Sequence, residues 1–355
     1  MPAGVAVLER LGIAQAVGGV PFYGVRYHLD DLVAQARFPR IAGVPAAGRG
    51  QRRRDLDYPI FSVAAATPGV RPYTGTRVDA PLVENGRVTG LLVEGEHHRA
   101  KLVVAADGVH SRLRHHLGLD SPPRRKRFGV CTHFRLAPGQ AQPPWVEVFL
   151  SDRHELYVTP LPGGEILVAG LAEGGSLGIS IELAFRRWWM AQPVLAKRLE
   201  GAEQISDLMC TAPLSSRARA GVAPGIVLLG DAAGFLDPIT GGGMTQALLS
   251  AELLAKFLSS GMDSVDDLLI LFDRKRQAML RDYRILTQMV LWLADHPRFA
   301  RGALRSLRSM PELFSHLIGV TGGVRRLLDV SELSQKGFPP AASGVPATRA
   351  SSGEF

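Results

Sequence analysis

Residues 225–244 read GIVLLGDAAGFLDPITGGGM, and they indicate most clearly what kind of fold the chain adopts. The apolar run before Asp231 is short and continuous, which is typical of a β-strand buried on both faces of a sheet. Asp231 ends that strand, where an unpaired carboxylate is costly unless hydroxyl or amide groups bond to it. The three glycines at 241–243 precede an apolar helix, whose first backbone N–H groups favour a negatively charged ligand. The stretch therefore predicts a ligand-binding loop at the carboxyl end of a buried strand.

A second loop of this kind lies upstream, where AADGVHSRLR occupies residues 105–114. It follows the apolar run 102–106, and open α/β sheets bind ligands at the carboxyl ends of their parallel strands. Gly108 permits a tight turn, Ser111 is suited to cap the next helix, and Arg114 is placed to meet a phosphate. From this loop alone, an Asp-Gly turn before a capped surface helix explains the residues equally well.

Together the two loops resemble the fingerprints of a known superfamily. GDAAGFLDPITGGGM resembles the Gly-Asp fingerprint of FAD-dependent oxidoreductases of the para-hydroxybenzoate hydroxylase and geranylgeranyl reductase superfamily, and AADGVHSRLR resembles its Asp-Gly fingerprint. RRRDLD at 52–57 resembles its Arg-x-x-x-Asp element, with Arg53 as the flavin-side arginine and Arg54 as the alternative. The resemblance covers roughly residues 2–260 and identifies a flavoprotein class without identifying a substrate.

The resemblance implies where FAD binds. Asp231 is expected to bond the ribitol, and Pro238 with the three glycines is expected to line the isoalloxazine ring. The Asp-Gly loop is expected near the pyrophosphate and the path of the nicotinamide cofactor. No side-chain nucleophile is expected, because the flavin supplies the redox chemistry and the protein orients the reactants. The expected cofactor-binding residues are Arg53, Asp107, Gly108, Ser111, Arg114, Gly230, Asp231, Ala232, Asp237, Pro238, Gly241, Gly242, Gly243 and Met244.

The chain departs from the superfamily at its first residues. These enzymes begin with a βαβ unit whose GxGxxG loop holds the FAD pyrophosphate, and no GxGxxG occurs in this sequence. AGVAVLERLGI at 3–13 resembles the segment that follows that unit. We therefore expect that a unit of about 30–40 residues is missing from the chain, and that FAD is retained weakly without it.

The predicted fold is α/β, with a Rossmann-like FAD-binding domain that lacks its first βαβ unit, an inserted β-sheet substrate domain and C-terminal helices. Alternating residues predict an antiparallel sheet over 128–171, and Asn85-Gly86 between two alternating runs predicts a hairpin. Apolar periodicity predicts helices over 3–17, 57–67, 181–199 and most of 264–328. The predicted parts are 1–127 and 211–260 for the FAD-binding domain, 128–210 for the substrate domain, 261–336 for the helical region and 337–355 for a disordered tail.

The net charge of +8 arises from 41 basic and 33 acidic residues, and the excess is local. Between Arg274 and Arg326 there are 11 Lys and Arg residues against three acids. One helix face within this segment carries Arg298, Arg301, Arg305 and Arg308, roughly opposite Phe299, Ala303, Leu307 and Met310. Such a stripe indicates a solvated surface, or a peripheral membrane contact through 298–310. Nucleic-acid binding is not predicted, because no aromatic stacking platform lies on the charged face.

No apolar run reaches the roughly 18–20 residues that cross a bilayer, and no charged leader precedes an apolar core. With two distant cysteines, the chain is predicted to be cytoplasmic, with membrane association as an option. No metal site is predicted, because the histidine pairs 97–98 and 115–116 are adjacent and share no face. GGSLG at 174–178 matches GxSxG without the strand-to-helix junction of a hydrolase, and a halogenase is disfavoured because no WxWxIP occurs. The basic cluster 124–127 is interpreted as solvated surface.

We favour an NAD(P)H-dependent FAD monooxygenase that hydroxylates an aromatic or apolar small molecule, since the substrate domain is rich in aromatic residues. The first alternative is a geranylgeranyl-reductase-like saturase of a prenyl or polyketide substrate. YVTPLP at 157–162 matches the aromatic-rich Phe-Pro element of such reductases poorly, which turns the prediction toward a hydroxylase. The second alternative is a non-catalytic fragment that does not hold flavin.

Overall fold

The computed structural model describes residues 1–122, 125, 127–173, 180–261 and 264–328. The predicted tail 337–355 and the GGSLG motif at 174–178 lie outside the described residues. The helices are α1 (Pro2–Arg10), α2 (Ala14–Val17), α3 (Arg53–Ala66), α4 (Arg112–His116), α5 (Ile181–Met190), α6 (Pro193–Arg198), α7 (Gly243–Leu258), α8 (Val265–Ala294), α9 (Pro297–Ser309) and α10 (Pro311–Thr321). Short 3₁₀ turns cover 162–164, 230–233 and 238–240.

The strands form one large sheet and several small ones. They are β1 (Val20–Phe22), β2 (Gly24–Leu29), β3 (Leu32–Arg37), β4 (Gly48–Gly50), β5 (Val78–Glu84), β6 (Arg87–Val93), β7 (Glu96–Arg99), β8 (Val103–Ala105), β9 (Asp120–Ser121), β10 (Arg127–Arg135), β11 (Val146–Leu150), β12 (His154–Leu161), β13 (Glu165–Glu173), β14 (Glu203–Gln204), β15 (Met209–Thr211), β16 (Arg217–Ala218), β17 (Val222–Ala223) and β18 (Ile226–Leu228).

The small sheet that positions the candidate site has the order β17-β18-β8. β18 and β8 run parallel, with Ile226 opposite Val103, so their carboxyl ends lie at one edge of the sheet. The loops that begin near Asp107 and Asp231 therefore start side by side, as open parallel sheets require of a ligand site. Nearby, β5, β6 and β7 form a separate antiparallel sheet. Its first turn confirms the predicted hairpin, because Asn85 and Gly86 both have positive φ, of 49° and 75°.

The large sheet has the order β14-β10-β13-β12-β11-β2-β3, with β15 also paired to β10. β10–β13 confirm the antiparallel sheet predicted over 128–171. No strand is predicted from the sequence at 24–37, yet β2 pairs with β11 in parallel and brings this segment into the same sheet. The alternating burial of β3 carries the missed signal, since its side chains point inward and outward in turn. The division into domains stays a prediction.

Two predicted helices are each broken in two. The helix predicted over 3–17 is interrupted at Gly12, whose φ of 70° lies in the left-handed region and ends α1. The helix predicted over 181–199 is interrupted at Gln192, which is extended (φ −103°, ψ 100°) because Pro193 follows it. α3 begins four residues earlier than the helix predicted over 57–67. The mostly helical segment predicted over 264–328 is confirmed as α8, α9 and α10.

Helices cover both faces of the large sheet. α5 and α6 pack on one face, where Phe185 and Leu195 join the core around Phe149. On the other face, Leu304 of α9 and Phe314 of α10 pack against the β2–β3 end. The apolar side of α9 therefore points partly into the protein. No helix of the described residues combines the length and the apolar character needed to cross a membrane.

Candidate functional site

Arg114 joins the two loops at the edge of the small sheet. Its guanidinium is buried and donates to the carbonyl oxygens of Ala232 (2.9 Å) and Val109 (2.8 Å) and to the Asp120 carboxylate (2.6 Å). The predicted contact of Arg114 with a phosphate stays a prediction. The bonds of its guanidinium hold the Asp-Gly loop against the Gly-Asp loop.

The rest of the Asp-Gly loop shapes the start of α4. The Ser111 hydroxyl accepts a hydrogen bond from the Arg114 N–H (3.1 Å), which confirms the predicted cap. The Asp107 carboxylate accepts a second one from the Leu113 N–H (3.2 Å). Gly108 has a φ of 82°, a conformation that other residues rarely adopt, so the turn depends on glycine here.

Asp231 ends the neighbouring strand with a half-buried carboxylate. Burial raises the pKa of this carboxyl, and the charge of Arg53 lowers it in part. Its backbone carbonyl accepts the Ser216 hydroxyl (3.0 Å), whereas no side-chain or backbone donor of the described residues bonds its carboxylate. A half-buried carboxylate without a donor is costly unless a ligand supplies one, and vicinal hydroxyl groups do so.

Of the three consecutive arginines, Arg53 is the one whose charge acts on Asp231. Arg52 is turned toward the large sheet, where its guanidinium pairs with Glu165 at 2.6 Å. Arg54 is exposed and pairs with the aspartate next to it. Arg53 forms an exposed pair with Asp57 (2.8 Å), a bond that a ligand can replace at little cost. The geometry therefore agrees with the choice of Arg53 over Arg54, and the role itself stays a proposal.

The loop between β18 and α7 contains glycines that other residues fit poorly. Gly230 and Gly241 have positive φ values of 56° and 64°. A Cβ at Gly242 would lie 2.4 Å from the Tyr283 ring of α8, and a Cβ at Gly243 would lie 3.1 Å from Phe235. The backbone thus approaches its neighbours closely, and it presents no side chain at these positions.

Helix α7 starts directly behind these glycines. Gly242 is its N-cap and provides no side-chain cap, so the first N–H groups of the helix have no side-chain acceptor there. Met244 in the first turn is exposed. Pro238 opens the 3₁₀ turn that precedes the glycines, and the Asp237 carboxylate caps that turn by accepting the Ile239 N–H (3.0 Å). A helix start of this kind favours an anionic group.

These features fit a flavin nucleotide. Among the described residues no donor bonds the Asp231 carboxylate, the loop has no side chains at 241–243, and the α7 N-terminus favours the negative charge of a reduced flavin ring. Asp231 and Arg53 would hold the polar chain of the cofactor, and the loop 237–243 would lie against its ring. Within the described ranges, no three His, Cys, Asp or Glu side chains are grouped so as to hold a metal ion.

A buried ionic network connects this loop to the large sheet, and the sequence analysis missed it. Arg127 of β10 donates to the Asp237 carboxylate (2.9 Å) and also pairs with Glu155 of β12. The cluster 124–127 was interpreted as solvated surface, which is wrong for Arg127, since only 4% of its surface is exposed. The Tyr157 hydroxyl strengthens the connection by donating to the Ile239 carbonyl (3.2 Å). Glu155 and Tyr157 alternate with buried apolar residues of β12, which is the signal that sequence reasoning passed over.

Burial raises the pKa of Glu155 to about 7, although the charge of Arg127 lowers it in part. Burial also raises the pKa of Asp237, again against the effect of Arg127. The pKa of another fully buried glutamate of the sheet, Glu147, shifts in the opposite direction. Burial raises its pKa, but Arg198 and the other donors around it bring the value down to about 2.

Comparisons with known proteins agree with this geometry. The family model described as FAD dependent oxidoreductase matches residues 61–257, more than half of the chain. A digeranylgeranylglycerophospholipid reductase from Methanothrix thermoacetophila is 32% identical over 244 residues, which are 63% of this chain and 60% of that protein. The chain thus spans about 60% of the length of this curated relative.

Solved structures show the same fold at low identity. A flavin-dependent brominase superposes with a TM-score of 0.73 at 19% identity, covering 95% of this chain and 89% of that one. A geranylgeranyl bacteriochlorophyll reductase-like protein from Thermoplasma acidophilum gives a TM-score of 0.61 at 18% identity, over 93% and 86% of the two chains. The resemblance read from the two fingerprints is confirmed, and the chain belongs to the FAD dependent oxidoreductase family.

Proposed function

We propose that this FAD-dependent oxidoreductase is a reductase that saturates carbon–carbon double bonds of a prenyl chain, with NAD(P)H as the reductant. The observation that carries the proposal is the similarity to digeranylgeranylglycerophospholipid reductases, the relatives that match over three fifths of the chain. This choice takes the saturase, which the sequence analysis held as an alternative, over the favoured monooxygenase. The monooxygenase remains a prediction, and the experiment below separates the two.

The residues of the chain would bind and orient the reactants. Asp231 accepts hydrogen bonds from the hydroxyl groups of FAD, Arg53 lies on the same side, and the loop 237–243 supports the ring. A bound reduced flavin supplies a hydride. Arg114 keeps the two loops in register, so that the binding surface is formed before the cofactor arrives.

The test is an anaerobic incubation of the purified chain with FAD, NAD(P)H and a prenyl glycerolipid, followed by mass spectrometry. A product that gains two hydrogens for each double bond supports the reductase. A product that gains one oxygen, formed only in the presence of O₂, contradicts it and supports the monooxygenase.

The non-catalytic alternative has its own test. A purified full chain that is colourless after incubation with FAD and removal of the unbound FAD would contradict the proposed function at its first step. We expect instead that added FAD binds and that the Asp231→Asn variant binds it less tightly, because the uncharged amide accepts hydrogen bonds from hydroxyl groups less strongly. Equilibrium dialysis at several FAD concentrations measures both affinities.

We further propose a peripheral membrane contact at the corner between α8 and α9. Ile285, Met289 and Trp292 are exposed at spacings of four and three residues, hence on one face of α8. Phe299 of α9 is 61% exposed, and its ring centroid lies 5.2 Å from that of Trp292. This apolar corner has exposed arginines beside it on α9, namely Arg298, Arg305 and Arg308. Aromatic side chains next to basic ones suit the surface of an anionic bilayer.

The structure modifies the helix face named in the sequence analysis. Ala303 and Leu307 are half-buried, and Leu307 packs against the core, whereas Phe299 and Met310 are exposed. Arg301 pairs with Asp30 and Asp31 at 2.5 Å each, so it would have to break these pairs in order to contact lipid. The contact therefore shifts from the whole of 298–310 toward its N-terminal end. The proposal keeps the predicted cytoplasmic location.

Flotation with vesicles tests this contact. We expect the chain to bind vesicles that contain anionic phospholipid, and the Phe299→Ser variant to bind several-fold less. Phe61→Ser, which removes an exposed aromatic residue of α3, is the matched control and should bind like the unaltered chain. Equal binding by all three proteins would contradict the proposal.

A further inference from the structure

The ionic network between the sheet and the cofactor loop holds more negative than positive charge. Arg127, Glu155 and Asp237 are 4%, 5% and 1% exposed, and both carboxylates pair with the same guanidinium. With both carboxyls ionised, the cluster would keep one uncompensated negative charge in a buried place. Such a charge is relieved most easily by a proton on one of the two carboxyls.

The atoms of the cluster show where that proton can sit. Oδ1 of Asp237 is occupied, because it accepts from Arg127 and from the Ile239 N–H. Oδ2 of Asp237 is buried and has no hydrogen-bond partner among the described residues. On Glu155, Oε2 faces Arg127. The two remaining carboxyl oxygens, one on each residue, are therefore the sites that can carry a proton.

The groups around the cluster do not neutralise it. Tyr27 and Tyr157 are uncharged, because burial raises the pKa of Tyr27 to about 12 and that of Tyr157 well above its usual value. Burial lowers the pKa of His154, which favours its neutral form near pH 7. Among the described residues, Arg125 pairs with acids of its own on β13 and at the end of α8, Glu173 and Asp295, and the exposed Arg153 lines the adjoining cavity next to Asp152.

A cavity brings solvent to one side of this cluster. It has a volume of about 460 Å³, enough for several water molecules, and Arg127, Glu155, Ser151 and His154 contribute to its wall. Asp237, which is not part of this wall, pairs with Arg127 and lies on the loop that continues into Pro238 and the glycines. The cluster therefore spans the distance between water and the loop of the candidate flavin site.

We propose that Glu155 and Asp237, held together by Arg127, store one exchangeable proton and supply it to the reaction that takes place at the cofactor loop. The store refills from water in the adjoining cavity. The supply to the reaction rests on the proposed function, whereas the existence of the stored proton does not.

The chemistry of a double-bond reduction needs such a source. One alkene carbon receives the hydride of the reduced flavin, and the other receives a proton while the carbon–carbon π bond breaks. The carboxylic acid that gives the proton becomes a carboxylate and takes a new proton from cavity water. Electrons and protons balance, since the flavin contributes the electron pair with one hydrogen and the cluster contributes the second hydrogen as H⁺.

The stored proton is tested on the flavin-free full chain. Because the pKa of Glu155 is raised to about 7 in the fold, the folded state holds a proton that the unfolded state releases at lower pH. Its contribution to stability is therefore present at low pH and is lost as pH rises through about 7. Glutamine does not titrate, so Glu155→Gln does not show this loss of stability. As pH rises from about 5 to about 8, the unfolding equilibrium constant of the unaltered chain should therefore increase relative to that of the variant by at least about tenfold.

The matched control is Glu203→Gln, which alters an exposed glutamate of the same sheet whose carboxylate pairs with the exposed side chain of Arg135. Because no buried carboxyl is changed, the difference in stability between this variant and the unaltered chain should stay constant over this range. Infrared spectroscopy of the unaltered chain needs no variant. A carboxylic acid C=O band that is present at about pH 6 and lost at about pH 9 supports the store. Absence of that band, or an unchanged pH profile in Glu155→Gln, overturns it.

Single-turnover reduction of a prenyl alkene by the FAD-loaded chain tests the supply. The rate should fall as pH rises above about 7, and Glu155→Gln should be slower with this dependence removed. A rate in Glu155→Gln that equals that of the unaltered chain at every pH overturns the supply. A chain that shows the infrared band but reduces no alkene contradicts the proposed function and the supply together, and leaves the stored proton supported.

Discussion

Two buried arginines hold the Gly-Asp loop at 230–243 in place, and they bond to different kinds of acceptor. Arg114 fastens the loop to the Asp-Gly turn, mainly through the backbone carbonyls of Ala232 and Val109. Arg127 fastens it to the large sheet, through the carboxylates of Asp237 and Glu155. Carbonyl oxygens do not titrate, whereas buried carboxylates do. The first junction also includes the Asp120 carboxylate, whose pKa is raised by burial but is lowered overall below its usual value by the bonds to Arg114 and His115. The first junction therefore keeps its charge near neutrality, whereas the second changes its charge there.

The largest expected effect breaks the second junction. Arg127→Met leaves two buried carboxylates without a cation, which costs about 3–5 kcal/mol of unfolding free energy at about pH 8. At about pH 5 the loss should be clearly smaller, because both carboxyls can take up protons. Urea unfolding at the two pH values measures the difference. An equal loss of unfolding free energy at both pH values would contradict the uptake of protons by the two carboxyls.

Breaking the first junction should cost somewhat less and show no pH dependence. Arg114→Met leaves the buried carbonyl of Ala232 without its donor, at about 1–3 kcal/mol, whereas the partly buried carbonyl of Val109 can regain water. The Asp120 carboxylate is 40% exposed on its side chain and regains water, so it adds little. The same urea experiment serves here. A loss that varies with pH as strongly as in Arg127→Met would contradict the contrast between the two junctions.

A smaller effect is expected at Asp231, the proposed cofactor contact, which belongs to neither junction. Asp231→Asn touches neither arginine side chain, so it should leave stability almost unchanged and weaken FAD binding about tenfold, or about 1.4 kcal/mol. Burial raises the pKa of Asp231, so loss of its charge even favours the cofactor-free fold slightly at neutral pH. Dialysis with FAD and thermal unfolding of the same samples check both parts. A large loss of stability would mean that Asp231 serves the fold.

The smallest expected effect concerns the hydrogen bond of Tyr157 at the second junction. Tyr157→Phe removes only the hydrogen bond to the Ile239 carbonyl, which is worth about 1 kcal/mol. The Tyr157 hydroxyl stays protonated over the working range, because burial raises its pKa well above the ordinary value. The loss in unfolding free energy should therefore be the same at about pH 5 and pH 8. A pH-dependent loss would indicate that Tyr157 belongs to the titrating cluster.

Local features of the chain were predictable from the sequence, and long-range ones were not. The Asp-Gly turn at Gly108 and the hairpin at Asn85-Gly86 depend on residues within a few positions of each other, so they could be predicted. The breaks at Gly12 and Pro193 were visible as residue types, but the apolar periodicity on both sides outweighed them in the interpretation. The pairing of β2 with β11 joins segments over a hundred residues apart, and no local pattern specifies it.

The candidate site divides in the same way. Asp231 and the glycines were identified because their order along the chain carries the signal. Arg127 was assigned to the surface, since a run of basic residues at 124–127 does not indicate that one member faces two buried acids. Burial of a charge depends on partners that come from other strands and loops, and those partners become apparent only when the chain is folded.

Gly242 lies so close to the Tyr283 ring that a side chain at residue 242 would overlap with the ring, although the two positions are distant in the sequence. Tyr283 belongs to α8, outside the residues 61–257 that the family model matches, so a peripheral helix sets the size allowed in the cofactor loop. An engineer who enlarges residue 242 must shrink residue 283 in the same step. Glycine at 242 and a smaller residue at 283 would open space beneath the loop while Asp231 stays untouched.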